Sequence, residues 1–164
     1  MDDLLFRTAV KPSDPDAVRR IVESTGFFYP YEVDVAVELV DAHLAEGEAS
    51  GYHFVFAELG GETVGYGCVG PIACTQSSFD FFWIAVHSRC RGRGVGRHLV
   101  EACEARMRQL GASRVYVETS GREQYEPTRR FYLACGYQEV AVFPDYYAPG
   151  DAKVVYLKVL GPAI

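Results

Sequence analysis

Positive charge is in short supply in this chain. Sixteen lysines and arginines stand against 22 aspartates and glutamates, for a net charge of −6. That balance argues against a general nucleic-acid binder. Cysteine pairs are missing too: Cys68, Cys74, Cys90, Cys103 and Cys135 are odd in number and contain no C-x-x-C spacing. They read as reduced thiols in a cytoplasmic protein. His43, His53, His87 and His98 show no metal-ligand spacing, so no metal is expected. There is no apolar run of membrane-spanning length, and Met1-Asp2-Asp3 opens without a positive leader segment. Neither a membrane nor a nucleic acid is therefore an expected partner; a homodimer is left open. No repeat, linker or low-complexity stretch divides the 164 residues. A single domain, 1–164, is expected, large enough to bury about 70% of its unfolded surface.

What is present is a sequence of short apolar segments. Leu4 to Val10 reads as a strand. Ser13-Asp14-Pro15-Asp16 has the form of a helix start, with a serine to cap it. Val33, Val37, Val40 and Leu44 recur at helical spacing. Tyr52–Leu59 and Glu62–Gly70 read as strands joined by a Gly60-Gly61 hairpin turn. Phe79–Val86 is a fourth strand. Val95, Leu99, Cys103, Met107 and Leu110 line one face of a third helix that Gly111 ends. Ser113–Thr119 alternates as a fifth strand, and Thr128–Cys135 is a short helix ended by Gly136. Tyr137–Phe143 and Ala152–Leu160 close the chain around a Pro144–Asp151 loop. The order β-α-α-β-β-β-α-β-α-β-β predicts an α/β (α+β) mixed sheet of about seven strands with helices on both faces.

Between the fourth strand and third helix lies Arg91-Gly92-Arg93-Gly94-Val95-Gly96-Arg97. A strand, a glycine-rich turn and a helix together present backbone N–H groups and a helix N-terminus to a phosphate. Glycine removes the Cβ that would hold a ligand off, and arginine supplies paired donors. A P-loop would end in Gly-Lys-Ser/Thr, and a dinucleotide fingerprint would read G-x-G-x-x-G; neither occurs here. Arg89, Arg91, Arg93 and Arg97 cluster in an otherwise acidic chain, which suggests one small anionic ligand. Cations at a helix N-terminus oppose the helix dipole unless an anion sits there. His87 and His98 flank the turn, where they either touch phosphate or are ordinary surface or core histidines.

Arg-x-x-Gly-x-Gly resembles the acetyl-CoA pyrophosphate loop of the GNAT superfamily of N-acetyltransferases. Phe131-Tyr132-Leu133-Ala134-Cys135-Gly136-Tyr137 resembles that family's second hallmark, Phe-Tyr-x-x-x-Gly-Phe/Tyr. The resemblance covers nearly the whole chain and implies a GNAT-type acyl-CoA N-acyltransferase fold. It implies acetyl-CoA as cosubstrate, a primary amine as acceptor, and direct attack on a thioester lying where the fourth and fifth strands splay apart. The phosphates would be held by Arg91, Gly92, Arg93, Gly94, Val95, Gly96 and Arg97. Pantetheine would run along the backbone of Ile84, Ala85 and Val86. Tyr132 would be the general acid at the sulfur. Arg129 or Arg130 would approach a CoA phosphate, or be solvated helix charge.

Ribosomal-protein alanine N-acetyltransferases are the nearest branch by eye. The resemblance to them implies Glu118 as general base, with Asp80 as a second candidate. It also implies that Asp145, Tyr146 and Tyr147 form an aromatic loop around a cationic acceptor. Two departures stand out. The loop before Tyr125 is longer than in that branch, and Tyr125 replaces a pantetheine-binding asparagine, a contact Ser120 would make instead. Trp83 either lines the cleft or fills core. The alternative to an enzyme is a non-catalytic acyl-CoA or nucleotide-binding sensor or interaction domain.

Overall fold

A computed structural model describes residues 3–162. The strands are β1 (Leu4–Arg7), β2 (His53–Leu59), β3 (Glu62–Pro71), β4 (Ser78–Val86), β5 (Arg114–Ser120), β6 (Gln138–Ala148) and β7 (Asp151–Val159). The helices are α1 (Asp14–Thr25), α2 (Pro30–Glu46), α3 (Val95–Gln109) and α4 (Glu126–Ala134). The strands form a seven-stranded mixed sheet in the order β1-β2-β3-β4-β5-β7-β6. Two compact units share it: residues 3–70 with 83–107, and residues 71–82 with 108–162, so that β4 belongs to both.

In the first unit, β1, β2 and β3 are antiparallel. Gly60 and Gly61 both take positive φ, 59° and 82°, as a two-residue turn matching strand twist requires. One sheet face buries Phe54, Phe56, Tyr66 and Cys68 against Val18, Ile21 and Val22 of α1 and Val33, Ala36 and Val40 of α2. The other face meets α3. A Cβ on Gly65 would stand 3.2 Å from the Ala85 carbonyl oxygen and 3.5 Å from a Leu99 methyl. Backbone cannot move aside cheaply, so β3 needs glycine where the β4 carbonyl of Ala85 crowds it.

Helix α1 does not start as expected. Ser13 occupies the N-cap position but makes no side-chain cap bond. Asp14 instead fixes the approach to the helix: its carboxylate accepts from the Lys11 N–H at 2.6 Å and receives both terminal nitrogens of Arg7 at 2.8 and 2.9 Å.

In the second unit, β4 pairs with β5 in parallel from Ser78–Arg114 to Phe81–Val117. β7 lies antiparallel between β5 and β6. Side chains alternate across this sheet. Phe79, Phe81, Val115, Val117, Val154 and Tyr156 are buried on one face. There Tyr132 of α4 packs at 6.0 Å from Tyr156 and 5.9 Å from Tyr137, centroid to centroid. Asp80, Tyr116, Glu118 and Lys153 take the alternate positions in the same registers.

The Pro144–Asp151 loop is a correction. β6 runs on to Ala148, and only Pro149-Gly150 turns into β7. A register shift between Phe143 and Ala148, with Asp145 at φ 55°, absorbs the proline. A proline and clustered turn residues imitate a loop in sequence, yet an edge strand tolerates them because one side of its backbone is unpaired.

Candidate active site

The glycine turn in the first unit has the local geometry that its sequence predicts. Gly92 and Gly94 take φ of 71° and 78°, a region that side-chain-bearing residues rarely enter. Val95 opens α3 and is 1% exposed, so the side chain between the two glycines is packed inward. The first four N–H groups of a helix have no intrahelical acceptor. Arg93 is exposed and has no ion pair or hydrogen bond among the described residues, while Arg97 reaches only Glu101, at 3.6 Å. These donors fit the phosphates of a CoA. Arg91 has another job: its guanidinium donates to the Thr25 carbonyl at 3.4 Å and lies 5.0 Å from the Phe27 ring centroid. Arg89 pairs with Glu62 at 2.5 Å.

The histidines beside the turn make local contacts. His87 Nδ1 accepts from the Arg89 N–H at 3.3 Å, and His98 faces Glu101 at 3.4 Å. Ile84, Ala85 and Val86 form the end of β4, with Ala85 buried and its neighbours partly so. Trp83 packs against the first unit's core, 5.0 Å from Phe28 between ring centroids.

In the second unit Tyr132 sits on α4, 5% exposed. Burial raises its pKa well above that of a free phenol, and Cys135 adds to the effect. Like an ordinary phenol, the hydroxyl is protonated at neutral pH and can donate. Asp80 and Glu118 share a sheet face with Lys153. Burial raises the Asp80 pKa; Glu118 raises it further, and Lys153 opposes both. Asp80 has no hydrogen bond or ion pair among the described residues. Glu118, half exposed, lies 3.4 Å from Lys153 Nζ. Tyr146 and Tyr147 cross edge to face at 5.0 Å. Burial, with Glu118 next, moves the Tyr147 pKa up to about 12.

Four of the residues considered for ligand contacts make bonds within the protein. Ser120 is buried, and its hydroxyl donates to Asp151 at 2.5 Å while accepting from the Arg122 N–H at 3.1 Å. Its hydroxyl is thus engaged inside the protein. Arg129 donates to the carbonyls of Ser120 and Arg122, each at 2.8 Å, and so braces the β5–α4 connection. Arg130 pairs with Glu126 at 2.6 Å, a solvated helix contact. Asp145 turns back into its own hairpin, its Oδ1 accepting from the Gly150 N–H at 2.7 Å. Sequence reasoning missed Lys153. It alternates correctly in β7, but only the β5–β7 register, which sets it opposite Ser120, reveals its neighbours.

The family model of the GNAT acetyltransferases matches residues 18–137, through both hallmark segments. The chain belongs to the GNAT acetyltransferase family. A crystal structure from Desulfovibrio desulfuricans assigned to the same family is 45% identical, covers 96% of this chain and 99% of that one, and superposes with a TM-score of 0.94. An uncharacterized N-acetyltransferase of Methanocaldococcus jannaschii is 30% identical over 105 residues, which are 64% of this chain and 65% of that protein. The chain thus spans just under two thirds of that curated relative. An aminoglycoside 6′-N-acetyltransferase crystallised with coenzyme A shares the fold at 19% identity, covering 98% and 99% of the two chains with a TM-score of 0.79. Ribosomal-protein alanine N-acetyltransferases share the fold at 15% and 19% identity, which does not single out that branch. Acetyl-CoA is the cosubstrate of the GNAT family. No helix among the described residues is long and apolar enough to cross a membrane.

Proposed function

We propose that this GNAT chain transfers the acetyl group of acetyl-CoA to a primary amine by direct attack of the amine on the thioester. When bound, acetyl-CoA supplies the activated acyl carbon and a thiolate leaving group. The residues around it have three tasks: to hold the phosphates, to take a proton from the amine and to give one to the sulfur. The Gly92–Arg97 backbone with Arg93 and Arg97 serves the first. Tyr132, on the sheet face opposite Asp80 and Glu118, serves the third from the other side.

The second task carries the reading. An ammonium of pKa about 10.4 costs about 4.6 kcal/mol to deprotonate at pH 7. A carboxylate whose own pKa is raised narrows that gap. Asp80 and Glu118 stand on one face of the second unit's sheet, and Asp80 is the half-buried member, without a hydrogen bond or ion pair among the described residues and with raised proton affinity. We assign the base to Asp80, with Glu118 drawing the cation in. Tyr146 and Tyr147 flank the amine side.

Asp80 must be ionised to act, so kcat/KM falls as pH drops through its raised pKa. Asp80→Asn removes that acid limb and lowers kcat/KM, with the deficit shrinking as pH rises and the amine deprotonates itself. Glu118→Gln keeps the limb but moves it to lower pH, because Glu118 helps to raise the Asp80 pKa, and mainly raises KM for the amine. An Asp80→Asn enzyme with the wild-type pH profile, alongside a Glu118→Gln enzyme that has lost it, makes Glu118 the base.

A further inference from the structure

We propose that the acceptor is an amine with a carboxylate close beside it, of the α-amino-acid type, and that Lys153 is the counter-ion for that carboxylate. The proposal rests on the acetyl-transfer reading above and names the substrate class of that same site. Lys153 stands opposite Ser120 in β5 and Phe143 in β6. Its ammonium lies 3.4 Å from Glu118 Oε1, 4.1 Å from the Tyr146 ring centroid and 5.1 Å from that of Phe143. The side chain is only 14% exposed, so its stem is packed and its charge has a fixed place. Burial disfavours that charge, but Glu118 and Tyr146 outweigh it and the pKa is raised. Lys153 is therefore a standing cation rather than an amine ready to be acetylated.

A fixed cation on the aromatic face changes what the site selects. Cation–π and carboxylate contacts otherwise open to a polycation are already occupied. A second positive charge on the acceptor would meet Lys153 at short range and be repelled. A negative group would be attracted. Asp80 is left for the acceptor's ammonium. Glu118, 49% exposed, turns from Lys153 towards the acceptor's ammonium when the acceptor's carboxylate takes its place. Asp80, Glu118 and Lys153 sum to one negative charge. A zwitterion gives Asp80 a cation and Lys153 an anion, so both groups are paired.

The test is a thiol-release assay with acetyl-CoA and matched acceptors: phenylalanine against phenethylamine and phenylalanine amide, lysine against cadaverine, and spermidine as a polycation. The amino acids are expected to exceed their decarboxylated and amidated partners by about tenfold or more in kcat/KM. Lys153→Met should erase that ratio by raising KM for the amino acids alone, and Lys153→Glu should invert it. An unchanged melting shift of both variants with acetyl-CoA shows that fold and cosubstrate binding survive. Preference for the decarboxylated amines or spermidine, or a ratio untouched by Lys153→Met, overturns the proposal while leaving acetyl transfer intact. If no amine in the panel releases thiol, the acetyl-transfer reading fails, and this proposal with it.

Discussion

Arg7 and Asp14 form a two-pronged ion pair, Nη1–Oδ2 2.8 Å and Nη2–Oδ1 2.9 Å, with the Asp14 side chain only 1% exposed. Arg7 also reaches Glu58 at 2.7 Å and lies over the Phe56 ring. One guanidinium thus ties β1 to the start of α1 and to β2. Arg7→Met leaves the Asp14 carboxylate buried without its guanidinium, which is expected to cost about 3–5 kcal/mol by urea unfolding. Ser13→Ala should lose almost nothing because Ser13 makes no cap bond. Equal losses for the two would mean that the ion pair is not what holds the start of α1.

Acetyl-CoA at a hundredfold excess over Kd should stabilise the fold by about 2.7 kcal/mol, read as a raised Tm. Gly94→Val should abolish the shift, because φ of 78° strains a β-branched residue and its side chain stands in the phosphate path. Arg93→Ala should weaken binding while leaving the stability of the free protein unchanged. A saturating dose without any Tm shift would remove CoA from the glycine turn.

Tyr132→Phe removes only a hydroxyl from a ring packed between Tyr137 and Tyr156. The fold and the acetyl-CoA melting shift should persist, while kcat falls about 10²-fold or more. Wild-type turnover would make Tyr132 a packing residue.

His53 predicts a pH dependence of stability. It is 8% exposed, with Nδ1 unpartnered and 4.0 Å from Glu48. Burial lowers its pKa below the ordinary 6.5, aided by Arg106 and His43 and opposed by Glu48. The unfolded chain then binds a proton that the folded one resists. This contribution is favourable above pH 6.5 and is lost as pH falls from 6.5 towards the folded pKa. His53→Gln should flatten unfolding free energy across that window. An identical slope in the variant would place the titration elsewhere.

Local rules carried much of the fold into view. The Gly60-Gly61 turn, the period of α3 and the glycine turn before it follow from backbone sterics and side-chain period, which act over a few residues. Tyr132 and the arginine-glycine loop were legible because a motif is itself a local pattern. Relations between distant segments were not. Alternation puts Glu118 and Val117 on opposite faces, but not on which face Tyr132 lies; the Tyr132–Tyr156 contact decides that. Ser120, Arg129 and Asp145 looked available for a ligand because their partners Asp151, the Ser120 and Arg122 carbonyls and the Gly150 N–H become neighbours only through strand pairing and turn closure. Lys153 is the sharpest case. Its charge is written in the sequence, but its place on Glu118 and Tyr146 follows from the β5–β7–β6 register, and register is a long-range property that a one-residue slip would reverse.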